Sequence, residues 1–126
     1  MFGLALSGGG IKGFTHVGIL KALHDHGLKP AWISGASAGA VVAALYSVGY
    51  SPEELESLAY SSYRGLIDLN YGGFIKGAAQ FAMGMEVSLD GIIKGDRIET
   101  LIRELTEGKT MRDTNIPLAI TAVDIN

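Results

Sequence analysis

The sequence predicts an α/β fold in which helices cover a mostly parallel sheet in three layers, α/β/α. Short apolar segments bounded by glycine or proline alternate along the chain with longer segments of helical periodicity. Two glycine-rich motifs follow the first two apolar segments, where strand-to-helix turns are expected. Since strands joined by helical crossovers pair in one direction, this order favours a parallel sheet.

The first half of the chain is predicted to run strand, helix, strand, helix. These elements are residues 2–6, 11–26, 31–34 and 38–48. Apolar residues recur at helical spacing in the first helix, and Gly27 and Gly49 follow the two helices as C-terminal stops.

The second half adds two helices and a strand. The sequence SPEE at residues 51–54 combines a serine cap, a proline at the first helical position and a glutamate that reaches back. Asp96 and Glu99 indicate a second capping box, which opens a helix that runs through Glu107. Residues 117–123 form an apolar last strand.

Length and composition restrict the class of protein. The chain has 126 residues, a net charge of -3 and no cysteine. One domain is expected, without a nucleic-acid surface, a disulfide, a thiolate metal site or a cysteine nucleophile. The start MFGLALSGGG lacks the basic segment of a signal peptide. Residues 38–50, the longest nearly apolar run, fall short of the roughly 20 residues that span a bilayer, so a cytoplasmic or membrane-peripheral protein is expected.

The segment Ser7–Gly13 carries the spacing G-x-G-x-x-G between the first strand and the first helix. Backbone N–H groups of such a loop converge where the helix dipole also favours negative charge. Gly8, Gly9 and Gly10 therefore predict a site for a bound phosphate or for an oxyanion formed during a reaction. A dinucleotide site also needs an acid about 20 residues further on, and residues 31–35 contain none, which weakens that alternative.

The second motif, Gly35-Ala36-Ser37-Ala38-Gly39, follows the second strand. In a nucleophile elbow the serine lies on a strained strand-to-helix turn, and the flanking glycines let the backbone pass closely. An apolar strand before it, a helix of small residues after it and a glycine loop on the neighbouring strand favour a catalytic Ser37 over a structural one.

All three histidines precede Ser37, so the order serine, acid, histidine of an α/β-hydrolase triad is not available. His16, one turn past the glycine loop, is predicted to pack or to form a hydrogen bond. His24 and His26, at the end of the first helix, are predicted to be solvated and to interact with the helix dipole rather than to bind a metal.

These residues resemble the patatin-like phospholipase family over the whole chain. The matching segments are residues 4–13 (LALSGGGIKG), 16–23 (HVGILKAL), 35–39 (GASAG) and 116–118 (IPL). The resemblance implies a lipid acyl hydrolase with a serine–aspartate dyad and no cofactor. Ser37 would form an acyl-enzyme from a lipid or other ester, and the N–H groups of Gly8–Gly10 would stabilise the oxyanion. Lys12 stands where the family has lysine or arginine. It would hold the loop or bind an anionic headgroup, or it is a solvated surface residue without such a role.

The resemblance also implies an aspartate in a downstream D-G-A or D-G-G motif. The Asp90-Gly91 pair is followed by Ile92 and suits a turn, and Asp124 is also interpreted as a turn residue. Residues 1–126 are therefore expected to be the N-terminal portion of one patatin-like domain, with the base beyond Asn126. Such a fragment should be almost inactive, because serine is a weak nucleophile without an aimed base.

A glycine-rich segment, residues 66–89, fits neither periodicity. Within it, residues 74–85 (FIKGAAQFAMGM) are apolar with one charge, which suits a lid or a peripheral membrane contact, or equally a core helix. Two other functions stay open at this point. They are a nucleotide- or phosphate-binding module and a catalytically inactive lipid-binding homologue.

Overall fold

In the part of the chain that the structure describes, three parallel strands form the sheet, in the order β1 (Gly3–Leu6), β2 (Trp32–Gly35) and β3 (Leu118–Ile120). They belong to a computed structural model that describes residues 1–68 and 95–122, with side chains for residues 1–61 and 99–122. Leu6 lies beside Gly35, and Gly35 beside Ile120, so the strands end at a common edge. The predicted α/β class with a parallel sheet is confirmed.

The helices follow the predicted order. They are a 3-10 helix (Gly10–Phe14), α1 (Thr15–Asp25), α2 (Ala38–Ser47), α3 (Pro52–Asp68) and α4 (Gly95–Leu105). The last three residues of α3 come from the segment that the periodicity left unassigned. None of the helices in the described part of the chain combines the length and hydropathy that crossing a bilayer requires.

The first helical segment differs from the prediction of one continuous helix over residues 11–26. Its first turn is a 3-10 helix, in which the Lys12 N–H donates to the Gly9 carbonyl at 3.1 Å. Gly10 has a φ of 55°, outside the range of a right-handed helix. The buried Gly13 packs against Ala38, and the Thr15 hydroxyl donates to the Lys12 carbonyl at 2.7 Å. The glycines thus allow a tighter turn than the apolar spacing alone indicates.

The predicted capping box of α3 is confirmed. The Ser51 N–H donates to Glu54 Oε2 at 2.7 Å, and the Glu54 N–H donates to the Ser51 hydroxyl at 3.2 Å. The box predicted at Asp96 is wrong in position, because Gly95 is already helical and Asp96 lies inside α4. The last strand is shorter than residues 117–123, since Thr121 and Ala122 are not in a strand although the Thr121 N–H still donates to the Gly35 carbonyl at 3.1 Å.

One face of the sheet carries the core. Side chains from β1, β2, α1, α2 and α3 meet there, namely Leu6, Val17, Leu20, Ile33, Val42, Ala43, Leu45 and Leu55. Among the described helices, α2 lies against all three strands, and α1 packs on α3 and α2. On the opposite face the Trp32 indole lies over Gly3, where a Cβ atom would be 1.7 Å from Trp32 Nε1.

Candidate active site

Ser37 lies on the turn between β2 and α2, with φ 50° and ψ −124°. Its side chain is exposed and makes no capping hydrogen bond to the helix that it precedes. A structural N-cap serine has β-region dihedral angles and accepts a hydrogen bond from the first turn. Ser37 has neither property, and a positive φ at a non-glycine residue costs free energy. This geometry differs from that of an ordinary helix cap, and it leaves the hydroxyl of Ser37 exposed on the turn.

At both glycines of G-x-S-x-G, neighbouring backbone atoms leave no room for a Cβ atom. A Cβ atom on Gly35 would lie 2.4 Å from the Gly39 oxygen, and one on Gly39 would lie 2.4 Å from the Leu6 oxygen. A Cβ on Gly39 would also lie 2.6 Å from the Ser7 oxygen. All these atoms belong to the backbone, so side-chain rotation does not relieve the overlap. The start of α2 therefore rests directly on the end of β1.

The glycine loop after β1 is the neighbour of Ser37. A Cβ atom on Gly8 would be 3.2 Å from Ser37 Cβ and 4.0 Å from Ser37 Oγ. The Ala36 N–H donates to the Leu6 carbonyl at 3.0 Å, which ties the serine turn to the strand that carries the loop. Within the described residues, the N–H groups of Gly8 and Gly9 have no hydrogen-bond acceptor. Among the described residues, Gly8 therefore has a backbone donor without an acceptor and lies beside the exposed hydroxyl.

Of two further residues of the first motif, Gly13 is packed in the interior and Lys12 is exposed. Gly13 is buried, and a Cβ atom there would be 2.5 Å from Ala38 Cβ. Lys12 is exposed, at the solvent side of the 3-10 helix. Gly13 thus brings the helix after the loop against the residue that follows Ser37, whereas Lys12 takes no part in that packing.

The histidines differ in their relation to this site. His16 Nε2 is 2.8 Å from the carbonyl oxygen of Ser7, a hydrogen bond of the kind predicted for this residue. His26 is exposed and pairs its Nδ1 with the Ala22 carbonyl at 2.8 Å, at the C-terminal end of α1. His24 is exposed as well. In the described ranges, no cluster of histidine and carboxylate side chains could hold a metal ion.

Several predicted elements of the site lie outside the described residues. They are the segment 74–85, the Asp90-Gly91 pair and Asp124. Their interpretations as a lid or membrane contact and as turn residues stay predictions. Among the described residues, the structure brings Ser37 and the glycine loop together.

An apolar groove between α1 and α3 was not found from the sequence. It has a volume of about 280 Å³ and is lined by Phe14, Val17, Gly18, Glu56, Ala59 and Tyr60. Phe14 directly follows Gly13, the residue that packs on Ala38. The helical spacing of positions 14, 17 and 18 indicates that these residues share one helix face. The sequence did not indicate that this face packs beside α3, because that pairing depends on the tertiary structure.

Comparisons with known proteins indicate the family of the chain. Residues 4–125 match the family described as Patatin-like phospholipase. Triacylglycerol lipase ptl3 of Schizosaccharomyces pombe is 48% identical over 62 residues, which cover 49% of this chain and 13% of the lipase. The uncharacterized protein R571 of Acanthamoeba polyphaga mimivirus is 32% identical over 127 residues, covering 98% of this chain and 41% of R571.

A solved structure is also similar, the heterodimeric ExoU–SpcU complex from the type III secretion system of Pseudomonas aeruginosa. The matched chain is 29% identical with a TM-score of 0.52, over 84% of the present chain and 20% of that chain. In each of these comparisons, the present chain spans less than half of the length of its relative.

Proposed function

Because the chain belongs to the patatin-like phospholipase family, we propose that it carries the nucleophile and the oxyanion hole of a lipid acyl hydrolase. The observation that carries this proposal is the exposed Ser37, on a turn with φ 50°, beside a loop whose Gly8 and Gly9 N–H groups are free among the described residues. The relatives named as lipases support a lipid ester as the substrate class.

The proposed reaction is acyl transfer in two steps. Ser37 Oγ attacks the ester carbonyl carbon while its proton passes to a carboxylate base, and the carbonyl π electrons move onto the oxygen. N–H groups of Gly8, Gly9 and Gly10 stabilise that oxyanion, at about 10²–10³-fold in kcat for each well-aimed donor. Collapse of the intermediate breaks the bond to the leaving alcohol, which takes the proton from the acid. Water then hydrolyses the acyl-serine with the same carboxylate as base.

The carboxylate of the dyad is part of the proposal, and we assign it to an aspartate beyond Asn126. The chain spans 13% of triacylglycerol lipase ptl3 and 41% of R571, and this partial coverage supports that assignment. Without an aimed base, the hydroxyl of Ser37 stays protonated and reacts slowly. The 126-residue chain by itself is therefore expected to be inactive or nearly inactive towards esters.

A fluorophosphonate probe tests the assignment of the nucleophile. The probe should attach to Ser37 of the longer protein that carries this chain, and Ser37→Ala should abolish the label and the release of fatty acid from phosphatidylcholine vesicles. Ser57→Ala is the matched control, since Ser57 is an exposed serine on α3. Equal activity in the wild type and in Ser37→Ala would refute the proposal, and saturable binding of ADP without labelling would favour the nucleotide site.

The missing base has a separate test. The 126-residue chain and the longer protein are compared with p-nitrophenyl butyrate at equal concentration. Turnover of the short chain at enzyme-like rates, lost in Ser37→Ala, would place a sufficient base within residues 1–126 and refute the assignment beyond Asn126.

The apolar groove between α1 and α3 supports an acyl chain as the group that is bound. Its lining is mostly hydrocarbon, and it begins at Phe14, next to the Gly13 backbone that packs on Ala38. Gly18→Leu should fill it, because a Cβ atom at Gly18 meets nothing within 4 Å. We expect a higher KM for long-chain esters and an unchanged KM for butyrate. Ala22→Leu, at an exposed position of the same helix, is the control, and an equal effect on both esters would contradict the assignment.

A further inference from the structure

His16 is the second residue of α1, and its ring reaches back to the glycine loop. The Nε2 atom lies 2.8 Å from the carbonyl oxygen of Ser7. A carbonyl oxygen only accepts hydrogen bonds, so Nε2 must carry the proton. The ring is therefore either the Nε2–H tautomer or the cation, and in both forms this nitrogen is a donor. Nε2 therefore has no lone pair with which to take a proton from Ser37.

The carbonyl that His16 holds belongs to the peptide unit whose N–H is that of Gly8. A trans peptide is planar, and its C=O and N–H point in opposite directions. A hydrogen bond that fixes the Ser7 oxygen therefore also fixes the direction of the Gly8 N–H. Gly8 is the residue beside Ser37, with its Cβ position 3.2 Å from Ser37 Cβ. Donation to the carbonyl also polarises the peptide and strengthens its N–H as a donor.

The same oxygen is in contact with the nucleophile turn. A Cβ atom on Gly39 would lie 2.6 Å from the Ser7 oxygen, which is therefore held between α1 and the start of α2. The loop residues that follow are exposed glycines, which have little stiffness of their own. One side-chain donor at this oxygen thus has a large share in ordering the loop.

We propose that His16 is a positioning residue, which aims the Gly8 N–H at the oxyanion by holding the Ser7 carbonyl. This inference rests on the proposed function and adds to it that the histidine acts through the loop, with Nε2 as a hydrogen-bond donor and not as a base. The pair His16→Gln and His16→Leu separates these roles. Gln offers a neutral N–H donor that cannot act as a base at neutral pH, whereas Leu offers no donor.

The first test is made by NMR on the 126-residue chain and needs no activity. The ¹⁵N shifts of His16 should show a protonated Nε2. In His16→Leu the amide order parameters of Gly8–Gly10 should fall from about 0.85 to below about 0.6, and His16→Gln should restore most of the loss. His26→Leu is the matched control, because it removes a ring-to-carbonyl hydrogen bond of the same length at the far end of α1. A neutral ring protonated only on Nδ1, or an unchanged loop in His16→Leu, would overturn the proposal.

The second test measures the rate at which a fluorophosphonate labels Ser37 in the longer protein. His16→Leu should slow labelling by about 10- to 100-fold, the range expected for a misplaced reacting group, and His16→Gln should recover most of the rate. If His16→Gln reacts as slowly as His16→Leu while its loop is ordered, the ring itself acts in the chemistry and the positioning role is wrong. If no variant is labelled, the proposed function fails, and the NMR test still decides whether His16 orders the loop. If His16→Leu does not fold, the proposal is tested by the tautomer of the His16 ring in the wild type and by the loop order and labelling rate of His16→Gln.

Discussion

Replacing Gly39 by alanine is the sharpest test of how the nucleophile turn is built. The added Cβ atom would lie 2.4 Å from the Leu6 oxygen and 2.6 Å from the Ser7 oxygen. Carbon and carbonyl oxygen atoms without a bond between them approach to about 3.3–3.6 Å, so the two backbones would have to separate by about 1 Å. The overlapping atoms are held by the Ala36 N–H bond to Leu6 and by the pairing of β1 with β2.

The expected cost follows from this rigidity. Overpacking a well-packed site costs about 1–3 kcal/mol and sometimes more, and here both partners are main chain. We expect Gly39→Ala to lower the free energy of unfolding by about 2–4 kcal/mol, which corresponds to a fall in Tm of roughly 10 °C for a domain of this size. Gly18→Ala is the matched control. Its Cβ meets nothing within 4 Å on an exposed position of α1, so it should gain about 0.5–1 kcal/mol from helix propensity.

Urea unfolding followed by circular dichroism and by the fluorescence of Trp32, the single tryptophan, measures both variants. If Gly39→Ala stays within about 0.5 kcal/mol of the wild type, well inside the range of a neutral surface change, α2 does not rest on the end of β1. The close approach of Ser37 to the glycine loop would then also be contradicted, because it depends on the contact between Gly39 and the end of β1.

Three further substitutions test local geometry. Ser37→Gly should raise the free energy of unfolding by about 1 kcal/mol by relieving the strain at φ 50°, while it removes the proposed nucleophile. Urea unfolding measures this change, and a loss of stability would contradict the strained turn. The N–H and hydroxyl of Ser51 lower the pKa of Glu54, so its capping stabilisation is present above the ordinary glutamate pKa and is lost as the pH falls through the lowered value. The stability advantage of the wild type over Glu54→Gln should therefore shrink in acid, and an advantage independent of pH would argue against the box. Glu107→Gly should raise the free energy of unfolding by about 1 kcal/mol, because Glu107 lies in the turn just after α4 with φ 53°, and a lower Tm would contradict this.

The sequence predicted the part of the site that local chemistry encodes. Gly35 and Gly39 lie so close to other backbone atoms that a Cβ atom does not fit at either position. The close backbone approach therefore explains both the sequence motif and the geometry of the turn. The closeness of the glycine loop to Ser37 followed from parallel pairing, since adjacent strands in such a sheet end at the same edge. Boundaries set by single glycines, such as Gly27 after α1, were predicted for the same local reason.

What the sequence did not predict depends on tertiary contacts or on local conflict. The 3-10 turn needs the packing of Gly13 against Ala38, which no helical periodicity records. After α4, both Glu107 and Gly108 have a positive φ. Conformational propensity alone would have predicted a glycine at each of these left-handed positions, so the glutamate was not expected. The partner of His16 is a backbone carbonyl, so no pairing of residue types could have indicated it.

The two motifs of this protein act as one structural unit because they share the carbonyl groups at the end of β1. The Leu6 oxygen accepts the Ala36 N–H ahead of the serine, and the Ser7 oxygen accepts the His16 ring. Both oxygens also face Gly39 at the start of α2. A displacement of the end of β1 would therefore move Ser37 and the glycine loop together. With Ser37 as the proposed nucleophile, such a unit suits preorganised stabilisation of an oxyanion, since the loop donors would be held beside the hydroxyl before charge develops.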